Sequence, residues 1–383
     1  MRDRKDWRRV KFGDVVRLCT DRVADAAESG IERYVGLEHI DSEDLRVRRW
    51  GLVAEGTTFT TRFKPGQVLF GKRRAYQRKV AVADFEGVCS GDIYVLESAS
   101  PELLPELLPF ICQSEAFFRF AVETSAGSLS PRTNWTSLAR FEFELPLLKA
   151  QHELVQVLSA SCVVVDELVN AVLVGEDAHG AMIDEEFSGG DRVVLASVVL
   201  SSAYGPRFPA TDYALEGNVR TIRTTDMPVF GRITPETAPL ADVPAKMASE
   251  HQLVEGDFLM SRTGFTSGRA SLFHVDTDEV YIPAAFIIRL RLDRARVIPR
   301  YLLDFFRSAT GKEIVARLQR GTQQLNISCS ALLRESVKVS AIERQRVFVV
   351  ASTQLERAIE ECRRRLDAAR CNHKRLCGLL GGS

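Results

Sequence analysis

The chain has 383 residues, 45% of them hydrophobic, with 51 Lys plus Arg set against 51 Asp plus Glu. Such a length supports two or three domains, each able to bury a core without metal or disulfide as a staple. Zero net charge excludes a bulk positive field, so contact with nucleic acid must rest on local patches. Eight cysteines without a CxxC pair argue against a zinc framework and for a reduced setting.

The first residues, MRDRKDWRRV, are charged and include no apolar signal segment. No run approaches the roughly 20 apolar residues of a bilayer span, so a soluble, cytoplasmic protein without membrane contact is expected. Residues 7–18 predict a short strand or helix entry and residues 34–40 a strand. The turn Lys64-Pro65-Gly66 introduces a further strand at Val68-Leu69-Phe70. Straight after it, Gly71-Lys72-Arg73-Arg74-Ala75-Tyr76-Gln77-Arg78-Lys79 gathers five cations, an aromatic and an amide, before the apolar run 80–83. A strand-to-strand loop would hold these side chains at one edge. Lys and Arg suit phosphates, Arg forks suit guanine and Gln suits adenine; a solvated charged loop is the plain alternative.

Residues 103–120 predict a helix or helix pair punctuated by Pro105 and Pro109, with a core-facing apolar side. Gly127 to Trp135 is a turn-rich loop whose Arg132 and Asn134 either contact DNA or cap the chain from Ser137 onward, and residues 141–146 predict a strand. From Gln151, the residues Leu154, Leu158, Ser161, Val165, Leu168 and Val172 alternate gaps of three and four, the seam of a helix that packs along another. Residues 176–190 carry five carboxylates and no Lys or Arg, and read as a frayed helix end plus hinge.

The second half repeats the plan. Its counterpart of the basic loop runs from Arg262 to Arg269 with Thr263 and Thr266, and Gln323 and Asn326 lie in the region that answers to the Arg132 loop. A second seam runs Leu355, Ile359, Cys362, Leu366, Ala369, His373 and Leu376. The basic end of that helix, Arg363 to Arg365 with Arg370, Lys374 and Arg375, fits either DNA or an acidic partner surface. Residue n matches n+194 at Pro105/Pro299, Ser114/Ser308, Gly127/Gly321 and Gln151/Gln345. Nearer the start the offset falls to 190 at Gly66/Gly256 and to 183 at Phe12/Leu195. A one-signed drift is what small insertions in a duplicated unit produce.

Four stretches then stand in order. They are Phe63-x-Pro65-Gly66-x-Val68-Leu69-Phe70-Gly71-Lys72-Arg73, Ser130-Pro131-Arg132-x-Asn134-Trp135-x-x-Leu138, Leu145-Pro146-Leu147 before Gln151, and Leu253-x-x-Gly256-Asp257-Phe258-Leu259-Met260-Ser261-Arg262-Thr263-Gly264. With the repeat and the two helices, they make the whole chain resemble the specificity subunits of type I restriction-modification enzymes. The resemblance implies an α+β protein: two repeated target-recognition domains of mixed strands and short helices, separated by two long antiparallel coiled-coil helices. Its implied divisions are 1–148, 149–187 for the central helix and linker, 188–340, and 341–383. The second copy departs from the first in having Ser340 for Pro146 and Leu325-Asn326-Ile327-Ser328 for the Pro131 to Asn134 loop.

The resemblance further implies a non-catalytic subunit that reads a split site in double-stranded DNA, one domain per half-site. Lys72, Arg73, Arg74, Tyr76, Gln77, Arg78, Lys79, Arg132 and Asn134 would do so in the first domain, and Arg262, Thr263, Thr266, Arg269, Gln323 and Asn326 in the second. Two methyltransferase subunits would dock on the helices and bring a restriction and translocase subunit; S-adenosylmethionine, ATP and magnesium belong to those partners and none to this chain. A helix of about 24 residues is roughly 36 Å long, near one turn of B-DNA, so helix length would act as a ruler between half-sites. No Asn-Pro-Pro-Tyr/Phe tetrad, P-loop or triad spacing is present, and His39 reads as a structural histidine. A stand-alone nuclease, a scaffold or decoy for the methyltransferase, and a related type IIB-like specificity subunit are the alternatives.

Overall fold

The computed structural model describes residues 7–209, 213, 216–228, 231–233, 238–274, 278–319 and 325–380. Contacts divide the chain into two compact units, Met1–Asn170 with Arg363–Ser383, and Ala171–Cys362.

In the first unit the strands are β1 (Arg8–Lys11), β2 (Val16–Cys19), β3 (Arg33–Val35), β4 (Gly51–Leu52), β5 (Thr61–Phe63), β6 (Val68–Gly71), β7 (Val80–Val82), β8 (Gly87–Cys89), β9 (Ile93–Ser98) and β10 (Glu142–Leu145). The helices are α1 (Phe12–Val15), α2 (Leu108–Gln113), α3 (Glu115–Glu123), α4 (Trp135–Leu138) and the start of the long α5 (Leu148–Phe187), which continues into the second unit. One sheet has the order β2-β9-β6-β7, all antiparallel, and a second has the order β4-β3-β8-β5, with β3 and β8 parallel. Strand β6 is apolar without alternation because both of its faces are covered. Val68 and Phe70 join the cluster with Phe117 and Phe118 of α3, and Leu69 joins Val95, Ala81 and Phe63 on the other side. The expected strand at 34–40 is shorter: it stops at Val35, and Leu37–His39 forms a single 3-10 turn in which Gly36 N donates to His39 Nδ1 at 3.0 Å. The helix at 103–120 is split at Ser114, which leaves α2 in extended backbone and accepts from Phe117 N to cap α3.

The second unit contains β11 (Arg192–Val194), β12 (Val199–Tyr204), β13 (Val219–Ile222), β14 (Gly231–Arg232), β15 (Leu240–Ala241), β16 (Phe258–Ser261), β17 (Ala270–Leu272), β18 (Tyr281–Pro283), β19 (Ile287–Leu292) and β20 (Ser336–Lys338). Its helices are α6 (Ala245–His251), α7 (Pro299–Arg307), α8 (Ala309–Leu318), α9 (Cys329–Leu333) and the start of α10 (Ile342–Gly378). Its sheet orders, β12-β19-β16-β17-β14 and β15-β13-β18, repeat those of the first unit down to the parallel pair β13 and β18, except that β14 is added beyond β17 and, among the described residues, no strand takes the place of β5. The register repeats too. Val68 faces Leu96 as Phe258 faces Leu290, at offsets of 190 and 194, so the drift between β6 and β9 is a four-residue insertion. It falls between β17 and β18, because β7 and β17 differ by 190 while β8 and β18 differ by 194. The α+β duplication expected from the sequence is therefore present at the level of strand order.

Both seams are longer than the sequence reading made them. On α5, buried and half-buried positions continue past Val172 to His179, Ile183 and Phe187, and on α10 they begin at Gln345. The reading of 176–190 as frayed end and hinge is thereby corrected: the helix is continuous to Phe187, with Glu176, Asp177, Asp184 and Glu185 exposed and Glu186 itself buried. Within the second unit the pairing is antiparallel. Gly175 approaches Ile359, His179 Nε2 lies 2.9 Å from Ser352 Oγ, and Glu186 pairs with Arg344 at 2.9 Å. Within the first unit, Leu158 and Cys162 of α5 meet Leu376 and Cys377 of α10 in one cluster.

Helix α5 also overturns the expectation that no run is apolar enough to span a bilayer. One 18-residue window has a mean hydropathy of 1.9 and at most two charges, which meets that criterion by length and composition. Its apolar residues serve two faces, however. Leu158, Val172 and Ile183 are buried, whereas Val157, Val163, Val164, Leu173 and Val174 are exposed. Asp166 of the same helix pairs with Arg46 and Arg48.

Candidate nucleic-acid interface

The buried strand β6 delivers the chain to a loop, residues 72–79, whose conformation is set by two arginines. Arg74 and Arg78 both take left-handed backbone, with φ of 54° and 56°, and bracket the 3-10 turn Ala75–Gln77. Non-glycine residues adopt this region at a cost, and such strain gathers where function needs it. A second loop holds the first in place. Arg74 N donates to Pro131 O at 2.7 Å and Thr133 N to Lys72 O at 3.0 Å, while Ala126 and Arg132 exchange both backbone bonds. Side chains add to this clamp: Arg73 and Arg74 donate to Ser130 Oγ at 3.1 and 3.2 Å, and Asp92 accepts from Arg73 at 3.2 Å and Arg132 at 2.8 Å. Partial burial pushes the Asp92 carboxyl up, but the hydrogen bonds and charges of Arg132 and Arg73 outweigh it and hold the group below the usual value.

The expected site residues therefore divide. Arg73, Arg74, Gln77 and Arg132 sit together on the paired loops with at least part of each side chain open, and Tyr76 stands at the tip, 55% exposed. Lys72 places its Nζ 4.6 Å over the ring of Tyr94, whose hydroxyl accepts from Trp135 N at 3.1 Å. Arg78 turns back onto Glu43, Glu115 and the Phe118 ring, and Lys79 donates to Leu37 O at 2.6 Å, so these two cations anchor the loop. Asn134 caps α4 by accepting from Ser137 N at 2.8 Å. Of the two roles open to it in the sequence, capping is the one its side chain performs here.

The second unit builds the same clamp with other side chains. Ile327 N donates to Arg262 O at 2.8 Å and Gly264 N to Leu325 O at 3.1 Å, the counterparts of the Thr133 and Arg74 bonds. Thr263 bridges to Asn326 as Arg73 does to Arg132. Arg262 lies 4.3 Å over the ring of Tyr204, donates to Asn326 Oδ1 at 3.2 Å, and the Tyr204 hydroxyl accepts from Cys329 N at 2.9 Å. The supporting tyrosine thus recurs, yet it comes from β12 and not from β19, where Ile288 occupies the place of Tyr94. Where the first unit has Asp92 the second has Phe286, which is exposed. Thr266 Oγ1 lies 2.9 Å from Ser261 Oγ, inside the loop, and Arg269 is half-buried beneath it. Gln323 lies outside the described residues.

Sequence reasoning missed Asp92, Ser130, Tyr94 and Tyr204, which position the cations and belong to segments distant in the chain. The only signal available was the turn Gly91-Asp92, since neither tyrosine stands in a motif. Among the described residues, no group of His, Cys, Asp and Glu is arranged to hold a metal ion. His373 is taken up by Ser161 and Gln113 at 2.6 and 3.0 Å.

Two units of one topology, closed by two antiparallel helices and carrying unlike loops on matching strands, can be compared with known proteins. No protein-family model matches the chain. Over 98% of its length it superposes on the type I restriction-modification system S subunit from M. genitalium, with a TM-score of 0.61, 13% identity and 96% of that chain covered. It has the fold of a type I specificity subunit. A chain from the structural work on complex assembly and conformational transition of the type I R-M system gives the same TM-score, 0.61, at 19% identity over 98% of this chain and 96% of that one. In sequence, the chain is 27% identical over 153 residues to the type I restriction enzyme EcoDI specificity subunit of Escherichia coli. That match covers 39% of this chain and spans about a third of the relative's length, 34%.

Proposed function

We propose that this chain is the DNA-reading specificity subunit of a type I restriction-modification assembly and performs no chemistry itself. Each unit reads one half of a split site in duplex DNA, the first through Arg73, Arg74, Tyr76, Gln77 and Arg132, the second through Arg262, Thr263 and Asn326. Methyltransferase subunits, two in number, dock on the long helices, where Val157, Val163 and Val164 leave an apolar strip of α5 uncovered. S-adenosylmethionine, ATP and magnesium are used by those partners and by the restriction and translocase subunit they bring, in the cytoplasm.

The observation that carries this reading is the repeated clamp. The same backbone bonds join the same two loops twice, on strands of identical register, while the exposed side chains differ. A conserved frame with divergent tips is what two readers of unlike half-sites require. Methylation mapping of a host carrying the protein tests it, together with gel shift of the chain with and without its methyltransferase. A two-part motif of modified bases, bound specifically by the complex, is the expected result. Binding in neither case would leave a scaffold, and cleavage by the chain alone would make it an enzyme; either defeats the proposal.

A further inference from the structure

Phe265 occupies the middle of the single 3-10 turn Gly264–Thr266, at the apex of the loop between β16 and β17, and is 97% exposed. The backbone beneath it is fixed from several sides. Gly264 and Gly268 supply left-handed conformations, with φ of 69° and 85°. Gly268 N donates to Ser261 O at 2.8 Å, Ser267 N to Gly264 O at 3.0 Å, Arg269 N to Thr266 O at 3.0 Å, and Gln319 Nε2 to Ser267 O at 2.8 Å. A lone exposed ring is ordinary on a protein surface; this one stands on an ordered turn in the loop that answers to the Arg73 and Arg74 loop of the first unit, where any bound duplex would be met.

The chemistry around the ring selects the partner. Arg262, partly exposed over the Tyr204 ring, and Thr263 precede it in the same loop, whereas Thr266 and Arg269 turn inward. A cation beside an aromatic ring matches a nucleic acid, with the charge meeting phosphate and the ring meeting base faces. The first unit also exposes an aromatic, Tyr76, in the turn of its own loop of equal length, one position beyond the residue equivalent to Phe265, which there is the buried Ala75. A phenyl group has no hydrogen-bonding atom and cannot read a base edge. It responds instead to how readily neighbouring bases part, least costly at pyrimidine–purine steps.

We infer that Phe265 wedges between two stacked base pairs of the half-site engaged by the second unit, so that this unit selects partly for a step that opens easily. The inference rests on the DNA-reading function proposed above. Its test uses the complete complex with its methyltransferase and a duplex carrying the motif found by methylation mapping, with 2-aminopurine walked through the second half-site. Wild type is expected to raise fluorescence at one step. Phe265→Ala should abolish that signal and weaken binding on the order of tenfold, with unchanged thermal stability, and Phe265→Trp should retain both. A Phe265→Ala complex that selects the site with wild-type affinity and an unchanged fluorescence profile overturns this inference alone. So does a variant that loses only its methyltransferase, since the ring would then serve a protein contact. A wild-type complex that binds no duplex removes both this inference and the function beneath it.

Discussion

Gln151 and Gln345 make the same three hydrogen bonds. Gln151 Oε1 accepts from Leu104 N at 2.9 Å while its Nε2 donates to Glu102 O and Pro146 O; Gln345 accepts from Ile298 N at 2.9 Å and donates to Arg296 O and Ser340 O. Every partner is shifted by 194 residues. Each glutamine, fully buried in the first turn of a long helix, ties that helix to the loop before α2 or α7 and to the end of the last strand. Replacing either by Leu keeps the volume but orphans one backbone N–H and two carbonyls. A loss of about 3 kcal/mol is expected for each variant in urea unfolding, and a loss below ~1 kcal/mol would show that water replaces the amide.

His179 and His373 are equivalent in the same way, and burial depresses the pKa of both from the ordinary 6.5. His373 faces Ser161, Gln113, Cys162 and Cys377. Gln113 Nε2 donates to Glu43 O, so its Oε1 meets a protonated Nε2, and Nδ1 lies 2.6 Å from Ser161 Oγ, whose hydroxyl also reaches Leu158 O at 2.7 Å. His179 faces Ser352, beyond which stand Asp304, Glu356, Arg300 and Arg307. An unfolded chain takes up protons near pH 6.5 that the folded chain refuses until lower pH. Stability should therefore be full above about pH 6.5 and decline as pH falls through that value. Urea midpoints at pH 7.5 and 5.5 check this: His179→Asn and His373→Asn should each show a smaller drop than wild type.

Asp92 divides its carboxylate between Arg73 and Arg132, so it orients both cations and also opposes phosphate. Asp92→Asn should raise affinity for unrelated DNA while lowering preference for the cognate half-site, with a steeper dependence of binding on salt. Competition binding at two salt concentrations measures both quantities. A variant with unchanged discrimination would show that these arginines need no such guide.

Arg74 and Arg262 distinguish two kinds of contact. Alanine at either should cost about 1 to 3 kcal/mol of binding. Relaxed choice at one base pair in a selection experiment marks a contact to a base edge, and uniform weakening over all sequences marks a phosphate.

The uncovered strip on α5 predicts the methyltransferase contact. Val164→Asp should weaken co-elution with that subunit on the order of tenfold while the thermal transition stays within a degree or two, because the side chain is exposed. Undiminished co-elution would move the docking surface elsewhere.

The sequence made the repeated frame visible because its signals are local or periodic. Gaps of three and four mark both seams, Pro65-Gly66 marks the turn before β6, and equal offsets mark equal strands. It hid the support of the loops because that support is long-range. Whether a cation in 72–79 points outward or back depends on Glu43, Glu115, Asp92 and Ser130, which no spacing rule connects to the loop. Arg78 and Arg74 look alike in sequence, and their different surroundings give one an anchoring role. The acidic run before Gly189 misled for a related reason. Composition suggested a hinge, while the seam spacing through His179, Ile183 and Glu186 continued the helix beneath it.

Arg363–Ser383 belongs with Asn170 and everything before it, and Cys377 and Leu380 complete the hydrophobic cluster around Phe12 and Leu158. A chain made from its N-terminus must therefore extend at least to Leu380 before the cluster around Phe12 can close. Without residues 363–380 the first unit keeps an apolar seam open along Leu154, Leu158 and Cys162, surface that invites aggregation.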